Sequence, residues 1–224
     1  APNGEDNIFF CDDDGGQACT PEVGNHGLLL KMLTEPNFAA TSPGGMTPLQ
    51  QQRALTVWMF SLAFPDIMPT KPLLILEGAA GSGKSSTVSL IQLALMGMKK
   101  PLILQASRED DFGILLLRNP VCMLDNLDKK IEWLTDAVCA YATSGEWTHR
   151  KLYTDTGEVT IRPHSFLAIT SRNPASFRRD DAADRSIVLR FERRKTFVRQ
   201  ARIEERILSE RNRLFGEYLY WINQ

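Results

Sequence analysis

Leu73-Leu74-Ile75-Leu76-Glu77-Gly78-Ala79-Ala80-Gly81-Ser82-Gly83-Lys84-Ser85-Ser86 passes from an apolar run through a glycine-rich turn into a helical pattern. The apolar run suits a short buried strand, and Ser85 to Met98 carries helical periodicity. Between them, Gly78 to Ser85 fits G-x-x-x-x-G-K-[ST] in the strand-turn-helix context that this motif requires. Glycines let successive N–H groups turn toward an anion, and the following helix presents its positive end there. Lys84 is placed to neutralise β/γ-phosphate oxygens, and Ser85 to offer a hydroxyl to magnesium. The expected ligand is ATP with Mg2+, held by Gly78, Ala79, Ala80, Gly81, Ser82, Gly83, Lys84, Ser85 and Ser86.

Phosphoryl transfer also needs a carboxylate beside the metal, and Val121-Cys122-Met123-Leu124-Asp125 puts one at the end of an apolar strand. Ser85 and Asp125 are therefore the expected metal pair. Asn126 follows; an amide can orient water but cannot accept its proton. Asp128 suits either a water-activating base or the N-cap of the next helix, and the residues leave both open. Ile169-Thr170-Ser171-Arg172-Asn173-Pro174 leaves another strand, so Ser171 or Asn173 is a candidate γ-phosphate sensor, with a capped turn as the alternative. Further on, Phe177-Arg178-Arg179-Asp180-Asp181 leads to Asp184-Arg185 before a last strand. Guanidinium groups fit phosphoryl charge, although a local Asp/Arg cluster accounts for the same composition.

Outward from the loop, the pattern alternates. Leu102 to Gln105, Val121 to Leu124, Phe166 to Thr170 and Ile187 to Phe191 read as strands. Ser107 to Leu117 and Asp128 to Ala142 read as helices, and a helix from Thr47 carries a capping box and Pro48 at its first position. Strand-helix alternation implies an α/β fold with a parallel sheet covered on both faces. Lys151 to Tyr153 and Glu158 to Ile161, joined by Thr154 to Gly157, read as a β-hairpin inserted before the fourth core strand. Residues 1–46 read as an extension of short strands or loops, 47–194 as the core, and 195–224 as a C-terminal helical segment.

Composition narrows the class. In 224 residues the formal charge is −1, but residues 1–149 hold 10 Lys/Arg against 17 Asp/Glu, whereas 150–224 hold 16 against 10. Such a basic C-terminal region suits phosphates, an acidic neighbour or plain solvent. Cys11, Cys19, Cys122 and Cys139 form no C-x-x-C pair, so neither a zinc site nor a disulfide framework is expected. No apolar run is long enough to span a bilayer and no signal pattern opens the chain, so a cytoplasmic location is expected and membrane partners are not. Beginning at Ala1 and ending within a helical pattern, the chain reads as a piece of something longer.

Together, the glycine-rich loop, the Asp125 strand, the polar exit at Ser171 and the Arg before the last strand resemble the AAA+ P-loop ATPases. More narrowly, Leu73 to Ser86, Phe112 to Asn126, Trp133 to Cys139 through Arg150 to Asp155, and Asp184-Arg185 resemble the helicase ATPase module of phage and mobile-element primase-helicase proteins, which is superfamily III-like. The resemblance covers residues 45 to 195 and implies a hexameric homo-oligomer with ATP between subunits. It implies that Arg185 acts in trans as an arginine finger, with Arg179 assisting. Where Asn126 stands, many such ATPases carry a water-activating Glu. The hairpin would line a channel for single-stranded DNA; because its tip, Asp155-Thr156-Gly157, lacks a basic residue, the DNA-binding candidates are Arg150, Lys151 and Arg162. Arg211 and Arg213 are candidates for a second sensor, and a primase or other replication partner is implied. The resulting expectation is a ring-forming DNA helicase or translocase. A nucleotide-dependent loader or switch with little hydrolysis is the alternative, and a small-molecule kinase lacks an evident Arg-rich lid.

Overall fold

The computed structural model describes residues 18–33, 36–68, 70–97, 103–104, 112, 116, 119–128, 131–144, 147–150, 158–161, 164–174, 180–194 and 198–224. Two compact units emerge, one of Leu33–Val88 and Leu102–Phe197, the other of Ala1–Met32, Ser89–Pro101 and Val198–Gln224.

The first unit is built on a parallel sheet. Its strands are β1 (Leu73–Gly78), β2 (Ile103–Leu104), β3 (Val121–Leu124), β6 (Phe166–Ser171) and β7 (Ser186–Phe191), in the order β2-β3-β6-β1-β7. Every pairing is parallel. Leu73 to Leu76, Val121 to Leu124 and Phe166 to Ser171 are buried throughout, as strands covered on both faces must be. Alternation then sorts the side chains. Leu73, Ile75, Cys122, Leu124, Leu167 and Ile169 share a core with Leu134, Val138 and Tyr141 of α4 (Glu132–Ser144). Burial pushes the Cys122 thiol up to about 12, which makes it an inert core residue, as its apolar setting suggests.

α2 (Pro48–Ser61) begins with the expected capping box between Thr47 and Gln50 and buries Leu55, Trp58 and Met59. Trp58 packs edge-on against Phe166 at 6.3 Å and donates its indole N–H to the Pro72 carbonyl. Buried Gln51 ties this helix to β7 by accepting the Arg190 N–H at 2.8 Å, while its amide donates to the Ala39 and Met46 carbonyls. α3 (Lys84–Met96) follows the glycine-rich turn, and α5 (Asp180–Ala183) fills the polar stretch before β7.

The hairpin differs in placement. β5 (Glu158–Ile161) is the expected second strand, but its antiparallel partner is β4 (Trp147–Arg150), with Arg150 opposite Glu158. Residues 151–157, which include Lys151 and the expected turn, lie outside the described residues, as do most of 107–117; Phe112 and Leu116 within that stretch are helical and buried.

The second unit contains α1 (Leu29–Leu33), the later part of α3, α6 (Gln200–Ser209) and α7 (Arg211–Ile222). Residues 27–33, expected as strand or loop, hold a helix instead. The cause is distant in sequence: buried Glu217 accepts the Leu28 and Leu29 N–H groups at 2.8 and 3.1 Å, capping the start of α1. Buried Arg211 donates to the Ala94 carbonyl at 3.1 Å and the Leu95 carbonyl at 3.4 Å, satisfying the end of α3. Arg213 pairs with Glu22 and Glu210. Both candidate second-sensor arginines thus have structural partners within this unit. No helix among the described residues is long and apolar enough to cross a membrane.

Candidate active site

In a parallel sheet all C-terminal strand ends face one way, and register decides which residues meet there. Leu76 pairs with Thr170 and Glu77 with Ser171, while Leu124 pairs with Ile169. Asp125, the residue after Leu124, is therefore level with Thr170, and Asn126 with Ser171. β6 lies between β3 and β1, which puts the Ser171 strand beside the Asp125 strand.

Ser85, in the first turn of α3, closes the gap between these strands. Its hydroxyl donates to Asp125 Oδ1. The same oxygen accepts the Thr170 hydroxyl at 2.7 Å, and Thr170 Oγ1 in turn accepts the Asn126 N–H at 2.9 Å. Asp125 is thereby fixed by one hydroxyl from β6 and faces another from α3.

Within the loop, Lys84 is buried and its ammonium donates to the Gly78 and Ala79 carbonyls at 2.7 and 2.9 Å. Burial holds its pKa below the ordinary lysine value, opposed by the carboxylates of Asp125 and Asp128, while Arg172 pushes it the same way as burial. Gly78 is required by close approach: a Cβ there would lie 2.4 Å from the Phe191 carbonyl oxygen. Gly83 has a different reason. Its φ is +94°, and a Cβ would meet nothing within 4 Å, so protein packing does not account for the glycine, whereas a left-handed backbone does. Among the described residues, the buried Ser82 hydroxyl has no hydrogen-bond partner. An orphaned hydroxyl, a buried ammonium turned onto main-chain carbonyls and a glycine-lined turn at a helix N-terminus form a donor set that fits phosphate oxygens. The Ser85 and Asp125 oxygens are a hard pair that fits a divalent cation.

Asp128 is not a helix N-cap, because α4 starts only at Glu132. Its Oδ1 accepts the Arg172 N–H at 2.7 Å and the Ser171 hydroxyl at 3.1 Å, and its Oδ2 accepts Arg172 Nε at 2.5 Å. The Arg172 backbone N–H is the main cause that holds the Asp128 carboxyl below the usual range; the Arg172 and Ser171 side chains add to it. Ser171, one candidate sensor, is thus spent on Asp128, and its oxygen accepts the Asn173 N–H at 3.1 Å. Ser86 follows Ser85 in α3. Asn126 adopts φ 58°, the one non-glycine residue with positive φ among those described.

Arg185 sits elsewhere. It precedes Ser186, which pairs with Leu73 at the start of β1, whereas Phe191 pairs with Gly78 at its end. Six residue steps of strand, roughly 20 Å, separate Arg185 from the level of Gly78 in the same chain. Its Nε donates to the Thr143 hydroxyl at 2.6 Å, beside a cleft of about 570 Å³ lined also by Lys71, Ala142 and Asp184. Arg179 and Arg162 lie outside the described residues, and Arg150 is placed only as the last residue of β4. Thr170 and Arg172 were missed from sequence. The signal for Thr170 was a polar residue ending an otherwise apolar strand, and for Arg172 a cation between two sensor candidates.

Comparison with known proteins agrees with the fold. A family model described as "Actinomycete integrative conjugative element replication protein" matches residues 45–218. No curated protein matches significantly. Among solved structures, the apo NrS-1 C-terminal region aligns with a TM-score of 0.62 at 14% identity, and its A form with 0.58 at 16%, each over 90% of this chain and 47% of that one. The chain thus spans about half the length of the structures it matches. A JCV helicase structure aligns with a TM-score of only 0.43 at 11% identity, over 88% of this chain and 59% of that one.

Proposed function

The chain belongs to the family of actinomycete integrative conjugative element replication proteins, and from that premise we propose that it is an AAA+ ATP-binding and hydrolysing module that works as a ring-forming DNA helicase or translocase. The observation that carries the reading is the convergence of Lys84, Ser85, Asp125 and Thr170 at the C-terminal ends of parallel strands, under a glycine-rich turn. In this reading the loop N–H groups and Ser82 hold the phosphates, and Lys84 exchanges its carbonyl partners for the β/γ oxygens. Ser85 and Asp125 hold Mg2+, which when bound supplies positive charge for the developing phosphoryl charge. Thr170 fixes the Asp125 carboxylate, and Asn126 orients the attacking water.

Arg185 enters from a neighbouring subunit. Its place at the opposite end of the strands from its own loop supports action in trans as an arginine finger, with Arg179 assisting. A site shared between identical chains requires head-to-tail contacts, which form a ring when the rotation between neighbours closes; a hexameric ring is the form we propose. The β4–β5 hairpin, whose Arg150 stands opposite Glu158 at the end of β4, is the proposed contact for single-stranded DNA, with Arg150, Lys151 and Arg162 as the candidate residues.

One observation favours a second reading, a loader or switch with slow turnover. Asn126 cannot take a proton, and the Asp128 oxygens already accept three donors. ATP turnover with and without single-stranded DNA, at a verified oligomeric state, separates the two. The helicase reading expects stimulation by DNA that Lys84→Ala abolishes; equal slow rates with ATP-dependent assembly would favour the switch.

A further inference from the structure

Asp128 sits three residues after Asp125, where a water-activating base would be sought, yet its oxygens face donors rather than open space. Oδ2 holds Arg172 Nε at 2.5 Å, and Oδ1 holds the Arg172 N–H and the Ser171 hydroxyl. The pair is asymmetric in exposure: the Arg172 side chain is 61% exposed and that of Asp128 only 20%. Among the described residues, the two terminal guanidinium nitrogens of Arg172 donate to no protein group. An ion pair this exposed contributes little to stability. It does fix direction, because an Nε clamped to a carboxylate holds the guanidinium plane and leaves its Nη1–Nη2 edge open to another acceptor.

The register says where that side chain starts. Ser171 pairs with Glu77, so Arg172 lies level with Gly78, the first residue of the glycine-rich loop.

We propose that Arg172 is a phosphate-binding residue acting in cis, its fork directed by Asp128 onto the γ-phosphate of ATP seated on the glycine-rich loop. Asp128 is then a positioning residue and not the base. This rests on the nucleotide reading above and adds a specificity to it: the site discriminates tri- from diphosphate through one guanidinium that belongs to the same chain, separately from Arg185 of a neighbour. The chemistry is suited to the task, since a planar fork binds two phosphate oxygens at once, which a lysine ammonium does not.

The test is calorimetric titration of the whole chain with ADP and with the non-hydrolysable β,γ-imido analogue of ATP. Wild type, Lys84→Ala, Arg172→Ala, Arg172→Lys and Asp128→Ala are compared. Loss of one charge-assisted contact predicts that Arg172→Ala weakens the triphosphate analogue about tenfold and ADP less than twofold. Arg172→Lys falls between, and Asp128→Ala shifts the triphosphate in the same direction with ADP unchanged. ADP binding itself reports that the Arg172 and Asp128 variants are folded. An unchanged ratio of triphosphate to diphosphate affinity in Arg172→Ala, or an equal loss of both, overturns the proposal while leaving the nucleotide reading intact, provided wild type binds and Lys84→Ala does not. A wild type that binds neither nucleotide overturns both.

Discussion

At the scale of single residues, Asn126 shows how a backbone constraint and a chemical role compete for one position. Its φ of 58° turns the chain directly after Asp125, and its N–H donates to Thr170. Asparagine tolerates the left-handed region better than most residues, whereas glutamate does not. Asn126→Gly is therefore expected to leave stability within about 0.5 kcal/mol, and Asn126→Glu to cost about 1 kcal/mol, both read from urea unfolding midpoints. Lys84 provides the functional counterpart: with one buried cation lost, Lys84→Ala is expected to lower ATP affinity by at least about tenfold, read by titration. Lys84 and Asp125 were legible in sequence because residue type and local context are enough to place them. Thr170 and Arg172 were not, since what they touch depends on β6 lying between β3 and β1, which tertiary packing decides.

At the scale of elements, local chemistry was readable where the partner is near in sequence. The α2 start is an example: Thr47 accepts the Gln50 N–H and Gln50 returns to the Thr47 N–H. Thr47→Ala is expected to destabilise the protein by about 1 kcal/mol, measured by denaturant unfolding. Elements whose ends depend on distant partners were read less well. α1 is capped by Glu217 from nearly the other end of the chain, and α4 starts four residues late because Asp128 serves Arg172 instead of a helix. The Asp128 link between β3 and β6 also has a pH signature. The folded-state carboxyl lies below its usual value of 3.8, so its contribution is present above that pH and lost as pH falls through the folded value. Asp128→Asn is accordingly expected to flatten the acid limb of the stability profile, measured as unfolding free energy between about pH 5 and pH 3.

For the whole molecule, the sheet order and direction carry the account. Parallel strands gather Lys84, Ser85, Asp125, Thr170 and Arg172 at their C-terminal ends and leave Arg185 at the opposite end, six residue steps from the level of its own loop. The α/β class was legible from strand-helix alternation; the end at which each residue falls followed only from pairing. If ATP is hydrolysed between neighbours, Lys84→Ala and Arg185→Ala damage opposite halves of one shared site. Each variant alone is expected to be inactive, with Arg185→Ala still binding ATP. Mixed in equal amounts and allowed to exchange subunits, they re-form about a quarter of the intact interfaces. The decisive measurement is the ATP turnover of that mixture at a verified oligomeric state. Recovered turnover, well above either variant alone, is the result predicted; a mixture as inactive as its components, or an Arg185→Ala protein that turns over ATP like wild type, would contradict a site completed in trans.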